Sequence, residues 1–397
     1  MSYTLTYTDI DASTKKVSGI TVVGTGNNVT IPDTDGGKTV VGITGNAFYN
    51  KQGIANVTMP DTITFIEASP GLPAFGAFHR CGLTSVVLSK NITSMGSSVF
   101  RDCIFLTSAT IPEGITALSN SMFSGCVSLI SADLPLSLVS IGAGAFGNCE
   151  TLPSVTFQEN LTTIGNAAFR FCYALEEITI PATVISLGLS CFASCSSIVK
   201  ADMSESVLTT LPSGIFSLCY SLTEVILNDN ITALGDSCFA GEIPLSTIRL
   251  PRYLVSIGVS AFTRCELQTI TIPSTVTTIG ATAFKECNLL RTIYFHGNAP
   301  TFGTSCFSGS LFNSSSINAT AYILPSKTGW PIPPNTIGSP NPIPTEYPRT
   351  TFGKVGCGAC LVSLFVLGIG TDLFCEYIGS RLAKTTPQTI VRKLPKP

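Results

Sequence analysis

Charge is scarce in this chain: Asp, Glu, Lys and Arg together make up 12% of its 397 residues, and the formal net charge is −2. Without a basic surplus there is no electrostatic footprint for a phosphate backbone, which excludes nucleic acid as a partner class. Histidine is scarcer still, with only His79 and His296, far apart in the chain. A Ser/His or Cys/His nucleophilic set therefore has nothing to build on, and each histidine reads as a surface or loop residue. Carboxylates such as Glu176, Glu177, Asp229 and Asp236 are scattered without a recurring pair, so general acid/base chemistry finds no support. Gly24 and Gly26 span too short a loop to cradle phosphate. The expectation is a protein that is not an enzyme and holds no cofactor. The first residues also lack the basic start and apolar core of a secretory leader.

Apolar residues, by contrast, reach 44%, enough to exclude a disordered chain. Twelve phenylalanines mark a period: Phe48, Phe78, Phe100, Phe123, Phe146, Phe169, Phe192, Phe216, Phe239, Phe262, Phe284 and Phe307, spaced by 22 to 24 residues after a first gap of 30. Units of this length cannot bury their apolar faces alone, so they must stack. In one clear unit Ile178 and Ile180 alternate with polar residues and stop at Pro181, the pattern of a short half-buried strand. Proline recurs at that exit as Pro112, Pro135, Pro251 and Pro273, where its missing N–H suits a strand end. A second extended piece ends in Ile-Gly or Leu-Gly, with Gly142, Gly165, Gly188, Gly235, Gly258 and Gly280 expected to supply the backbone angles that close a coil. The Ala-Phe that follows is expected to open a short helical or 3₁₀ stretch.

The pattern L-x-x-I-x-I-P-x-x-V-x-x-I-G-x-x-A-F-x-x-C, nearly complete over residues 267–287, resembles the BspA-like leucine-rich repeat and extends over residues 41–312. The resemblance implies a curved leucine-rich-repeat solenoid of about 12 coils, β-rich with short 3₁₀ or helical turns. It also implies kinship with surface proteins of bacteria and parasitic protists that bind host molecules or other cells. Departures sit mostly at the ends: the Phe48 and Phe307 units lack the trailing cysteine, and residues 68–74 are inserted. Residues 1–40 are expected to cap the first coil, since a solenoid end otherwise exposes core and strand edge.

Of the 15 cysteines, nine follow a repeat phenylalanine by three residues: Cys81, Cys103, Cys126, Cys149, Cys172, Cys195, Cys219, Cys265 and Cys287. Stacking places them about 4.8 Å apart with side chains parallel, a geometry favouring buried thiols over disulfides. Cys191, Cys238 and Cys306 precede a phenylalanine and read as cross-links or as small core residues. Histidine-free ladders with this spacing do not make a zinc site, so no metal is expected. Sequons at Asn28, Asn56, Asn91, Asn160, Asn230, Asn313 and Asn318 are candidate glycosylation sites. Asn91, Asn160 and Asn230 share one repeat position, where asparagine also serves turn geometry.

The outward position of the first strand reads Val87, Thr110, Asp133, Thr156, Thr179, Asp202, Ile226, Arg249, Thr271 and Tyr294 down the stack. Its alternatives are a solvated sheet surface or a continuous binding face; Thr156, Thr179, Asp202, Ile226, Arg249, Thr271 and Tyr294 form the candidate face, because tyrosine and arginine are favoured anchors.

Beyond residue 312 the composition changes. Residues 313–350 read as a proline-rich linker, with eight prolines in 325–348. Residues 351–378 contain 17 consecutive uncharged residues at 355–371, the short end of a membrane-spanning apolar helix. A buried apolar hairpin is the alternative. Residues 379–397 form a tail whose Arg381, Lys384, Arg392, Lys393 and Lys396 have no acid among them. The positive-inside tendency places this tail in the cytoplasm and the repeats outside, whereas a chain without a leader anchored at its C-terminus keeps its bulk cytosolic. The membrane-anchored orientation with extracellular repeats is favoured. Cys357 and Cys360 suit lipidation or packing. Adhesion or protein recognition through the solenoid, with a protein or cell-surface ligand, is the leading function. The alternative is a structural component of a virion or cell envelope. Ice binding through the threonine-rich strands is opposed by Asp133, Asp202 and Arg249.

Overall fold

A computed structural model describes residues 2–23, 27–69, 75–310, 320–323 and 349–351. The chain divides into two compact units, Met1–Val199 with Glu205–Val207 and Lys200–Ser204 with Leu208–Pro397. Each unit is a β-solenoid: seven phenylalanine-marked coils fall in the first and five in the second, about 12 turns of chain.

Most coils supply two short strands, and equivalent strands of successive coils pair in parallel. In the first unit Asn27–Thr30 pairs with Ile54–Thr58, which pairs with Ser85–Val87. A second row runs through Ala117–Leu118, Ser140–Ile141, Thr163–Ile164 and Ser186–Leu187. In the second unit the corresponding row runs from Thr210–Leu211 through Ala233–Leu234, Ser256–Ile257 and Thr278–Ile279 to Thr301–Phe302. The alternation inferred for Ile178 and Ile180 holds: both are buried, with Thr179 exposed between them. Ser2–Asp9 and Thr14–Val23 form an antiparallel hairpin whose second strand pairs in parallel with Lys38–Ile43. Thr320–Ile323, within the stretch read as linker, adds another parallel strand beside Thr292–Phe295 and pairs antiparallel with Arg349–Thr351.

Between the strand rows the phenylalanines stack ring on ring. Centroids are 4.6 to 5.5 Å apart from Phe48 to Phe192 and 5.4 to 5.9 Å apart from Phe216 to Phe307, a favourable offset-stacked range. Eleven of the twelve are among the largest fully buried side chains, Phe307 following at 3% exposure. The ladder is the centre of each core.

Two expectations are corrected. The Ala-Phe stretch is not helical: among the described residues there is no α- or 3₁₀-helix, only hydrogen-bonded turns. The reason is visible around Phe123. Ser121 and Gly125, two residues to either side, both take left-handed φ values of 55° and 78°, which no right-handed helix can contain. The N–H groups of Ser121, Phe123 and Gly125 donate to Ala143, Ala145 and Gly147 of the next coil at 2.7 to 2.9 Å instead of to their own turn. The same left-handed pair recurs as Ala167 and Phe171, Ser190 and Ser194, and Ser260 and Arg264. The C-terminal apolar helix lies outside the described residues, as does the proposed span 351–378 apart from its first residue; no helix among the described residues is long and apolar enough to cross a membrane.

The second correction concerns glycine. Gly142, Gly165, Gly188, Gly235, Gly258 and Gly280 are not in the left-handed region. A Cβ on any of them would lie 2.2 to 2.7 Å from backbone atoms of the preceding coil. These glycines are set by the closeness of neighbouring backbones, not by a turn angle.

Candidate functional site

The interior is chemically quiet. Cys103, Cys126, Cys149, Cys172, Cys195, Cys265 and Cys287 are buried thiols whose Sγ donates to a phenylalanine carbonyl of the preceding coil at 2.9 to 3.2 Å. Burial pushes Cys287 up to about 12 and holds Cys103, Cys149 and Cys265 well above the usual thiol range, so the nucleophilic thiolate is suppressed. Thiol labelling at pH 8 followed by site-resolved mass spectrometry is expected to modify these seven cysteines at least about tenfold more slowly in the folded protein than in guanidinium. Equal rates would contradict their burial. Among the described residues no group of three or more His, Cys, Asp or Glu could hold a metal ion.

His79 lies in a turn, one of its two expected settings, but is not at the surface. It is 4% exposed, its ring contacts Tyr49 and Phe75, and its Nε2 meets Asp102 Oδ2 at 3.1 Å. Desolvation lowers its pKa despite the opposing pull of Asp102. The residue follows Phe78 directly and is carried inward by that coil. His296 is exposed, as expected.

The sequons divide. Nδ2 of Asn91 and of Asn160 donates to Asp61 and Leu136 carbonyls of the preceding coil, each at 2.8 Å, so these amides brace neighbouring coils. Asn56 donates to Asn28 Oδ1 at 2.6 Å and accepts from Thr84 at 3.3 Å. Asn230 is exposed, its N–H bound to Asn228 Oδ1 at 2.8 Å. Asn313 and Asn318 lie outside the described residues.

The outward strand column is present, in separate pieces. In the first unit Thr30, Thr58 and Val87 stand in register, as do Thr110 and Asp133, joined by a 3.1 Å hydrogen bond from the threonine hydroxyl. Thr156 and Thr179 are exposed, but residues 154–157 form no strand. Pro153 explains the break. At its repeat position Thr107, Ile130 and Glu176 each donate an N–H to the preceding coil, and proline has none to give.

In the second unit Asp202 is in register with Ile226, Thr271 with Tyr294, and Tyr294 with Tyr322. Arg249 belongs to residues 247–250, which lie in neither ladder. Asp202, Ile226 and Tyr294 are half-buried; Arg249 and Thr271 are exposed. The Arg249 guanidinium donates to both carboxylate oxygens of Asp229 at 2.9 and 2.8 Å, and the Arg252 N–H adds a third bond to Asp229 at 2.9 Å. The Arg249 hydrogen bond, followed by that of Arg252, holds the Asp229 carboxyl below its ordinary range. Sequence reasoning missed Asp229, Arg252, Ser274 and His296 at this site. One signal was readable: Asp229 and Arg252 occupy the same repeat position, ten before Phe239 and Phe262, so stacking sets opposite charges side by side.

With this geometry established, the chain belongs to the family described as the BspA type leucine-rich repeat region (6 copies), whose model matches residues 26–132, 74–199, 116–246 and 209–328. A solved leucine-rich repeat protein from Bacteroides ovatus is similar at 27% identity, over 77% of this chain and 67% of its own, with a TM-score of 0.51. The pneumococcal vaccine antigen PcpA is 21% identical over 77% of each chain, with a TM-score of 0.48. A leucine rich cell surface protein from Faecalibacterium prausnitzii is 23% identical over 74% of this chain and 93% of its own, with a TM-score of 0.33. Comparison with curated proteins gave no match.

Proposed function

We propose that this is a non-enzymatic surface protein in which the solenoid recognises a protein or cell-surface ligand and residues 351–378 hold it to a membrane with the repeats outside. The outward strand column carries this reading. Thr179 and, in the second unit, Ile226, Arg249, Thr271 and Tyr294 offer varied chemistry at one repeat position, while the equivalent inward positions hold uniform apolar side chains. A face whose residues vary over an invariant scaffold is what a recognition surface requires. The proline-rich stretch, the uncharged run 355–371 and the acid-free tail support display from a membrane. Residues 1–40 serve as the cap, the Thr14–Val23 strand covering the edge of Lys38–Ile43.

Trypsin treatment of intact cells is expected to release peptides from residues 41–312 while residues 379–397 stay protected until the cells are permeabilised. Protection of 41–312 in intact cells would overturn the surface assignment.

A further inference from the structure

Beside Arg249 the second unit contains an open cavity of about 560 Å³, within the size range of small-ligand sites. Arg249, Arg252, Thr247, Thr271, Ser274 and His296 line it, and none of the lining residues is acidic. It coincides with the interruption of the first strand row. Glu224–Leu227 and Thr269–Ile272 are ladder strands, and the intervening 247–250 is not, so its backbone polar groups belong to neither sheet and border the same opening.

We propose that this cavity binds an acidic saccharide, with a carboxylate or sulfate held by Arg249 and Arg252 and sugar hydroxyls held by Thr247, Thr271, Ser274 and His296. The inference rests on the outward column being the recognition face and names the ligand class for its second-unit part.

Three observations select this class. The Arg249 guanidinium is paired with Asp229, a carboxylate outside the lining, whereas Arg252 gives Asp229 only its backbone N–H and carries its guanidinium 5.6 Å over the Tyr253 ring, which leaves one positive charge for a ligand oxyanion. A guanidinium fork matches carboxylate or sulfate in a bidentate fashion. The remaining donors and acceptors are small hydroxyls and an imidazole, suited to a polyhydroxylated ring. Of the apolar lining residues Ile248 and Leu250 are buried and Pro273 is half-buried, and no Phe, Tyr or Trp lines the cavity, so the aromatic anchors that dominate peptide recognition are not supplied by its wall. Asp229 is then the internal occupant of the fork, and a ligand acid displaces it from Arg249 or bonds beside it to Arg252.

The test is calorimetric titration of the full chain with four probes: a heparin-derived sulfated hexasaccharide, a hyaluronate-derived carboxylated hexasaccharide, neutral maltohexaose and hexaglutamate. At least one acidic saccharide is expected to bind more tightly than maltohexaose and hexaglutamate. The sulfated and carboxylated arms distinguish the two sources of the oxyanion. The R249Q/R252Q double variant is expected to weaken that binding by about tenfold or more, and Asp229→Asn, which removes the competing acid, to tighten it severalfold. Both arginines are solvent-exposed, so an unchanged melting curve controls for folding. No binding by either acidic saccharide, equal binding by maltohexaose, tighter binding by hexaglutamate, or full affinity in the double variant would each overturn the proposal. Tryptic exposure of residues 41–312 on cells is unaffected by any of these outcomes, so the surface reading stands or falls separately.

Discussion

Gly188→Ala is expected to destabilise the first unit by about 3 kcal/mol, and Gly188→Val by about 4 kcal/mol or more, the upper end of what overpacking produces. A Cβ at this position would sit 2.2 Å from the Asn166 N, 2.3 Å from the Gly165 carbonyl carbon and 2.5 Å from the Asn166 Cα. All three are backbone atoms of the preceding coil, so no side-chain rotation relieves the overlap. The two coils must separate, and the hydrogen bond from the Gly188 N–H to the Ile164 carbonyl, 2.8 Å long, goes with them. Gly144→Ala is the control. Gly144 has a φ of +60° and only the Ser121 hydroxyl near its Cβ site, at 3.6 Å, and Ala167 already takes a φ of 52° at the same position of the next coil. Its cost is expected to be about 1 kcal/mol, that of a left-handed alanine. Urea midpoints read with a nearest-neighbour treatment suit a stack of repeats. If both alanine variants cost the same, close backbone approach is not what selects Gly188.

The second large effect is expected at Phe146→Ala, a loss of about 4 kcal/mol. The ring is fully buried between Phe123, 5.4 Å away, and Phe169, 5.2 Å away, nearly parallel to both. Truncation opens a void on two sides at once, and neighbouring coils cannot close it without breaking strand pairs. Phe146→Leu refills most of the volume but loses the ring stacking, so it is expected to cost about half as much. Circular dichroism melts and urea titrations measure both. A Phe146→Ala cost below about 1 kcal/mol would show that the ladder is not the main source of cohesion in its unit.

The period of these coils was legible because phenylalanine at 22- to 24-residue intervals reports a burial requirement, and burial dominates folding. Strand positions followed from alternation, as at Ile178 and Ile180. The turns did not follow, because Ala167, Phe171 and Thr282 are poor markers of left-handed backbone yet adopt it; inter-coil hydrogen bonds impose the angle, and those bonds are non-local. Glycine after Ile or Leu was recognised correctly and explained wrongly, since a crowding partner one coil away leaves no local trace. At the candidate site Arg249, Thr271 and Tyr294 came from periodicity alone. The cavity beside them depends on where a ladder fails, which Pro153 signals for residues 154–157 but no equivalent proline signals at 246.

One feature of the hydrogen bonding bears on how such an array changes length. At the second strand row N–H groups such as those of Val139 and Val255 point back to Thr116 and Thr232 of the preceding coil, whereas at the first-strand exits and the phenylalanine turns they point forward, as Ile111 to Asp133, Phe123 to Ala145 and Phe239 to Ala261. Peptide dipoles therefore run in both directions along each stack, unlike the aligned dipoles of a helix. A duplication or deletion of one whole repeat leaves the electrostatic character of both ends unchanged, and no compensating charges have to appear with it. Gain and loss of single repeats is thus open to drift in this scaffold, and recognition surfaces can be lengthened or shortened one coil at a time.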